Sequence, residues 1–213
     1  MAFRSGRLAS RGRKGSLHAG PTPEERLQRL NDAINAITTD DVRTVVSCIP
    51  GNIEVGAVYD LVLGAASSGS PRRVRATLLH VALYHSAAHC AKLLLHLGAP
   101  TEAPESQLGD RALHSAIRLG HYDLVMMLLE YGASPTSVNA SLDTPLHLAA
   151  EKGLVHVVRT LLDAGAHPAV RNRYQETPWD VATLAGSPSS NVCADLILTK
   201  HLQNKDQHKL PIL

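Results

Sequence analysis

Residues 144–166 read TPLHLAAEKGLVHVVRTLLDAGA, a pattern that predicts two short helices joined by a turn. Thr144 is suited to cap the first helix, and Pro145 fits the first helical position, where a missing N–H has no cost. Gly153 ends that helix, and a second helix follows with an apolar stripe at helical spacing. The stripe consists of Val157, Val158, Leu161 and Leu162. Two helices this short cannot bury the stripe alone, so we expect neighbouring copies of the unit to cover it.

Similar openings recur along the chain at a nearly constant spacing. TLLHVA begins at Thr77, RALHSA at Arg111, TPLHLA at Thr144 and TPWDVA at Thr177. A period of about 33 residues with a T-P-L-H-x-A opening resembles the ankyrin repeat. The resemblance covers roughly positions 24–202. It implies an all-α solenoid of about five stacked helix–turn–helix units, with hairpin loops projecting from one edge.

The resemblance divides the chain into a repeat array and two tails. The predicted parts are a disordered basic tail (1–23), an N-terminal capping repeat (24–49), an insertion or degenerate repeat (50–75), ankyrin repeats at 76–105, 106–138 and 139–171, a C-terminal capping repeat (172–202) and a tail (203–213). Residues 50–75 depart from the regular spacing, and both interpretations of them stay open. An insertion would form a loop on one face, which can be the binding face. A worn-down repeat would serve packing alone.

Three local expectations follow from departures within the array. We expect a helix around Val58–Ala66. The third unit has Arg111 in place of the capping threonine, so its first helix takes its cap from elsewhere, with Asp110 as the candidate. In the fifth unit, residues 187–191 (SPSSN) are expected to form a longer loop before a second helix at 192–202.

The overall composition is typical of a soluble intracellular protein. The chain is 44% hydrophobic and 19% charged, and no stretch approaches the 18 or more apolar residues needed to span a bilayer. Cys48, Cys90 and Cys193 are odd in number and form no CxxC pair, so neither a disulfide framework nor a zinc site is expected. Reduced thiols and the lack of a secretory signal favour the cytoplasm or nucleus.

The N-terminal segment 1–23 contains no acid and five bases: Arg4, Arg7, Arg11, Arg13 and Lys14. Its small, polar composition favours a solvated disordered tail. Other interpretations are an organelle presequence, a nuclear-localisation or nucleic-acid patch, and phosphorylation of the serines that follow basic residues. Outside the tail, 16 lysines and arginines face 19 acids, and aromatic side chains are 3% of the chain. This balance argues against nucleic-acid binding by the repeat body.

His80, His114 and His147 recur at the repeat period. Of the residues in the array, they are the clearest candidates for metal ligands or catalytic groups. Packed helices would place them roughly 10 Å apart. That distance is too long for shared coordination of one zinc ion. In ankyrin repeats this histidine is structural, which the resemblance implies here too. No GxSxG, GxxxxGK or GxGxxG motif accompanies it. We therefore expect no catalytic, metal or cofactor-binding residues.

The resemblance also implies where a partner protein would bind. Ankyrin repeats use the loop residues before the T-P-L-H opening and the two residues after its alanine pair. The corresponding residues are Arg73, Arg75, Tyr84, His85, Gln107, Asp110, Arg118, Leu119, Ser141, Asp143, Glu151, Lys152, Arg173, Tyr174 and Glu176. Tyr84, Arg118, Arg173 and Tyr174 are the expected hot spots, because Tyr and Arg combine contact area with polar geometry.

The predicted function is therefore a non-enzymatic, monomeric adaptor, scaffold or inhibitor that binds another protein through its concave surface. A first alternative is a regulator of a transcription factor or kinase, in which the basic, phosphorylatable tail adds nuclear entry. A second alternative, a substrate receptor for a ubiquitin ligase, is disfavoured because the segment after the last predicted helix, 203–213, is too short for an added helical module.

Overall fold

The computed structural model describes residues 22–49, 55–63 and 72–207. These residues form helix pairs and a two-stranded antiparallel sheet. The elements are α1 (Pro23–Thr38), α2 (Val42–Cys48), β1 (Tyr59–Leu63), β2 (Arg72–Ala76), α3 (Leu78–Tyr84), α4 (Ala88–His96), α5 (Ala112–Leu119), α6 (Tyr122–Glu130), α7 (Pro145–Glu151), α8 (Val155–Asp163), α9 (Pro178–Ala185) and α10 (Pro188–Gln207). Across the described ranges, none of the helices is both long and apolar enough to cross a membrane.

The first helices of the units form one continuous inner layer. Helix α1 contacts α3, and the contacts continue from α3 to α5, α5 to α7 and α7 to α9. A small residue lies at the same place in every unit, and each is fully buried: Ala33, Ala82, Ala116, Ala149 and Ala182. Because alanine has a short side chain, neighbouring backbones can approach closely, and the second helices then cover the remaining apolar surface.

Each first helix is followed within two residues by a residue with positive φ, which turns the chain into the second helix. This residue is glycine in the last three units, and a Cβ on Gly153 would lie 2.9 Å from the Cβ of Ser189. In the first unit the position is Asp40, with φ of 53°. Its carboxylate accepts a hydrogen bond from the backbone N–H of Cys90 at 2.9 Å. Asp40 thus caps α4, whose own N-cap residue, Ala87, makes no side-chain hydrogen bond.

The recurring histidine links the third and fourth units, in each case to the loop of the next unit. In the fourth unit, Nδ1 of His147 accepts from the backbone N–H of Thr144 at 3.1 Å and lies 2.8 Å from its hydroxyl. Its Nε2 lies 3.2 Å from the carbonyl oxygen of Glu176, in the loop that precedes the next unit. Since a carbonyl only accepts, Nε2 carries the proton and the Thr144 hydroxyl donates to Nδ1. His114 reaches the carbonyl of Asp143 in the same way, at 3.0 Å.

The interval before the second unit contains a β-hairpin. Strand β1 pairs with β2 in a register that sets Tyr59 opposite Ala76 and Leu61 opposite Val74. The prediction of a helix around Val58–Ala66 is therefore wrong in its described part. The run contains valine and tyrosine, which favour strands, and it has a partner strand that the sequence pattern did not reveal. Val74 and Ala76 are buried, which anchors the hairpin to the array.

Two further expectations need correction. Asp110 does not cap α5, because the N-cap position is occupied by Arg111, which makes no side-chain cap hydrogen bond. Residues 187–191 do not form a long loop, because α10 already begins at Pro188. The Ser187 hydroxyl accepts from the backbone N–H of Ser190 at 3.0 Å, the hydrogen bond of a helix cap. Helix α10 also continues to Gln207, past the predicted start of the C-terminal tail at 203. The predicted N-terminal tail lies outside the described residues, apart from Thr22 and Pro23.

The third unit can be stabilised by restoring its capping threonine. Arg111 has φ of −87° and ψ of 168°, close to the −84° and 164° of Thr144, so threonine fits the backbone. Nδ1 of His114 is buried with no hydrogen-bond partner in the described part of the chain. We expect Arg111→Thr to raise the free energy of unfolding by about 1 kcal/mol in urea denaturation, because the new hydroxyl donates to that nitrogen. Thr144→Ala, the matched control, should lower it by a similar amount. A destabilising Arg111→Thr would contradict this account.

The buried histidines should make the fold sensitive to mild acid. Burial lowers the pKa of His80, His114 and His147 from the ordinary value of 6.5. As the pH falls through about 6.5, the unfolded chain binds protons that the folded chain does not, so stability is lost. Urea unfolding midpoints should therefore decrease between about pH 7.5 and about pH 5.5. His147→Gln should flatten this dependence, whereas His167→Gln, at an exposed position, should leave it unchanged. A flat wild-type profile would refute the prediction.

Candidate functional site

Two rows of residues face each other along the inner side of the array, and together they form what we call the concave surface. The helix row lies at the ends of the first helices and consists of Tyr84, Arg118, Glu151 and Leu184. The loop row precedes the first helices and consists of Asp110, Asp143 and Glu176. Successive members of each row are separated by one repeat period, so neighbouring members belong to neighbouring units.

Asparagines in the hairpin loops fix the loop row. In the fourth unit, Oδ1 of Asn139 accepts from the backbone N–H of Asp143 at 3.0 Å, and Nδ2 donates to Oδ1 of Asp110 at 2.9 Å. Asn172 repeats the arrangement one unit later, donating to Oδ1 of Asp143 at 2.9 Å. Each asparagine therefore holds its own loop closed and joins it to the preceding loop. The concave surface is thus preorganised by hydrogen bonds that lie beneath it.

Asp110 and Arg118 form a charged pair at the third unit. Nε of Arg118 donates to Oδ2 of Asp110 at 2.7 Å, and Asp110 is only 2% exposed. The hydrogen bond with Asp110 raises the pKa of Arg118 above its ordinary value, despite partial burial. Asp110 is one of the predicted contact residues, and in the structure its carboxylate is buried under Arg118 and Asn139. It positions the Arg118 guanidinium.

Tyr84 is held in a similar way at the second unit. Its hydroxyl donates to Oε2 of Glu105 at 2.8 Å, and Glu105 is 3% exposed. Burial and this carboxylate together raise the pKa of Tyr84. The other carboxylate oxygen of Glu105 accepts from the backbone N–H of Leu108 at 3.1 Å. Tyr84 is half-buried, and its hydroxyl group already has Glu105 as a hydrogen-bond partner.

At the fourth and fifth units the two rows border an open cleft of about 360 Å³. Its lining residues are Asp143, His147, Leu148, Glu151, Asn172, Tyr174, Glu176, Val181, Leu184 and Ala185. Three of them are carboxylates and none is lysine or arginine. His147 adds no positive charge at neutral pH, because burial lowers its pKa. Tyr174 is 70% exposed and Leu184 is 73% exposed, so the cleft combines negative charge with uncovered apolar surface.

The structure places the predicted contact residues in several environments. Those with exposed side chains are Arg75, His85, Gln107, Leu119, Glu151, Lys152, Arg173 and Tyr174. Those that are half-buried are Tyr84, Arg118, Ser141, Asp143 and Glu176. Arg73 lies in β2, and its side chain is outside the described part of the structure. The cleft brings together four of the predicted residues, Asp143, Glu151, Tyr174 and Glu176.

The apolar residues that line the cleft were not predicted from the sequence. Leu184 follows Glu151 by one repeat period, so the period alone could have identified it. Leu148 and Val181 belong to the inner faces of α7 and α9, where core and cleft positions have the same residue types. Glu105 was also missed, because no other loop carries an acid at its position and no motif marks it.

Comparison with known families agrees with this architecture. Residues 52–139 match the family model described as ankyrin repeats in three copies, and residues 141–173 match the model for a single ankyrin repeat. Together the two matches cover more than half of the 213 residues.

Among curated proteins, the chain is similar to part of a much longer protein. It is 32% identical over 80 residues to the mouse palmitoyltransferase ZDHHC13, a match that covers 38% of this chain and 13% of the mouse protein. The human palmitoyltransferase ZDHHC13 is 31% identical over 80 residues, with the same coverage of each chain. The chain thus spans about one eighth of the length of these relatives.

Equivalent aspartates of the loop row should differ in their contribution to stability. The side chain of Asp110 is buried and accepts from both Arg118 and Asn139, whereas that of Asp143 accepts from Asn172. Asp110→Ala leaves a partly exposed guanidinium and an amide without their acceptor, so we expect a loss of about 2 to 3 kcal/mol in urea denaturation. Asp143→Ala, the matched control, should cost about 1 kcal/mol. Equal losses for the two variants would contradict a special role for the Asp110–Arg118 pair.

Proposed function

The chain belongs to the ankyrin-repeat family, and from this membership and the cleft we propose that it is a non-catalytic module that binds a partner protein through the concave surface. It then serves as an adaptor, scaffold or inhibitor, depending on what else that partner binds. The segment shared with ZDHHC13 is 13% of the mouse and human proteins, so the similarity does not extend palmitoyl transfer to this chain.

The cleft at the fourth and fifth units carries the proposal. Tyr174 and Leu184 are large side chains that remain mostly exposed, and both line the same cleft beside three carboxylates. Apolar surface grouped in this way and rimmed by polar residues marks interaction sites. The helices beneath them are fixed by the histidine and asparagine hydrogen bonds, so ordering the site on binding costs little entropy. An exposed aromatic ring on a rigid support is typical of a binding hot spot.

The charges of the cleft favour a basic partner segment. The carboxylates of Asp143, Glu151 and Glu176 line one opening, and no lysine or arginine is among the lining residues. Arg118, on the neighbouring unit of the helix row, is already bound to Asp110. A segment that presents an arginine or lysine next to an apolar side chain would complement both properties of the cleft.

Partner capture with matched variants tests this function. We expect the double variant Tyr174→Ala, Leu184→Ser to lose at least about tenfold in affinity for proteins captured by the wild-type chain, because it removes the exposed contact area. The matched control is Leu198→Ser, Leu202→Ser on α10, whose side chains are 43% and 52% exposed away from the cleft. The comparison is made by quantitative affinity purification, with circular dichroism to verify folding. Equal capture by both variants would exclude the cleft as the binding site.

A further inference from the structure

The N-terminal segment of this chain has a net positive charge, whereas the rest of the chain has a net negative charge. Residues 1–21 contain Arg4, Arg7, Arg11, Arg13 and Lys14 and no carboxylate. The chain has 21 lysines and arginines in all, so the rest of the chain contains 16 of them together with all 19 acidic residues. The tail therefore has a charge of about +5 and the array about −3, since each charged side chain counts as one unit near pH 7. Opposite charges on two parts of one chain attract each other at close range.

The array has an unpartnered surface that suits this tail. Among the described residues, the carboxylate of Glu151 makes no hydrogen bond or ion pair, and it lines the cleft with Asp143 and Glu176. Arg118 is close enough to attract Glu151 and Asp143, but its guanidinium is bound to Asp110 at 2.7 Å, and that carboxylate offsets its charge. The cleft therefore stays negative. Tyr174 adds an exposed ring, and the tail carries apolar residues as well as bases, among them Phe3, Leu8 and Leu17.

The tail is also long enough to reach the cleft. It joins the array at Thr22, the N-cap of α1, and α1 is the first helix of the inner layer. The cleft lies between α7 and α9, about three to four helix spacings away, which is roughly 30 to 35 Å at the usual interaxial distance. Fully extended, segment 1–21 spans up to roughly 70 Å. No change in the described structure is needed for the contact.

We propose that residues 1–21 dock within the same molecule along the concave surface, with their basic side chains at the carboxylates of Asp143, Glu151 and Glu176. The linkage to α1 gives the tail a high effective concentration at the cleft, so weak individual contacts suffice. The docked tail occupies the surface that we assign to a partner. A partner must therefore displace the tail, and its affinity is reduced by the fraction of molecules in which the tail is docked.

Paramagnetic NMR on the full chain tests the docking directly. A nitroxide is attached to the single variant Ser10→Cys, which labels selectively because Cys48, Cys90 and Cys193 are buried. We expect the label to broaden the amide signals of Glu151, Tyr174 and Leu184 at about 50 mM salt, where charges attract over more than about 10 Å. The broadening should disappear at about 500 mM salt, where exposed charges are screened over a few ångströms. Persistence of the broadening at high salt would overturn the electrostatic proposal.

Two charge reversals provide the matched comparison. Glu151 and Glu130 are each the exposed last residue of a helix, α7 and α6, but only Glu151 lines the cleft. Glu151→Lys and Glu130→Lys change the net charge equally. We expect Glu151→Lys to reduce the ratio of docked to free tail about fivefold, and Glu130→Lys to leave it nearly unchanged. Replacing the five tail bases by serine should abolish the broadening. Equal effects of the two reversals would overturn the assignment to the cleft.

A mixed sample identifies the molecule that supplies the tail. Nitroxide-labelled chain without isotope is mixed with unlabelled, isotope-enriched chain. Intramolecular docking predicts no broadening in this mixture. Broadening as in the chain that carries both the nitroxide and the isotope would assign the contact to a second copy and overturn the proposal. The absence of broadening in the doubly labelled protein at low salt would also overturn it. These measurements use the isolated chain, so they are independent of partner capture by the Tyr174 and Leu184 variants.

Discussion

The hydrogen bond from a buried histidine to the backbone carbonyl of the next unit, made by His114 and His147, is the contact on which the third to fifth units depend. A single helix pair leaves its apolar stripe open to water, so each unit is stable only against its neighbours. The alanine row allows close approach, but alanine packing does not fix one unit relative to the next. The histidine does, because Nδ1 of His147 holds its own helix start while Nε2 holds the carbonyl of Glu176. Helix, loop and neighbour are thereby set by one side chain.

Asparagines link the outer parts of neighbouring loops in a similar way. Asn139 and Asn172 each close one loop and donate to the aspartate of the preceding one. The aspartates at these equivalent positions then meet different surroundings. Asp110 is buried by Arg118, whereas Asp143 lies at the edge of the cleft, with Glu151 at the matching place in the helix row. The regular scaffold therefore presents a row of acids whose exposure depends on the neighbouring residue of the helix row.

The repeat period was sufficient to predict the helix pairs from the second to the fifth unit. The resemblance to ankyrin repeats supplied the structural role of the histidines and pointed to four residues that line the cleft. The features it missed depend on contacts that do not repeat. The β-hairpin requires pairing between β1 and β2, which no local pattern of Val58–Ala66 could show. The burial of Asp110 requires Arg118, two helical turns later, to fold back across it. The start of α10 at Pro188 lies in a serine- and proline-rich stretch, a composition that is as common in loops as in helix caps.

The position of the cleft follows from where the array satisfies its own polar groups. At the second and third units the helix row carries Tyr84 and Arg118, and each is bound to a buried carboxylate of its own scaffold. These side chains fill the space between the rows, and their polar groups already have hydrogen-bond partners. At the fourth and fifth units the corresponding residues are Glu151 and Leu184, and within the described structure neither side chain is hydrogen-bonded to the loop row. Space, charge and apolar surface remain uncovered there. Carboxylates and exposed apolar surface thus lie together where the repeat pairs least with itself, and on our proposal a basic segment, from a partner or from the tail, supplies what those units lack.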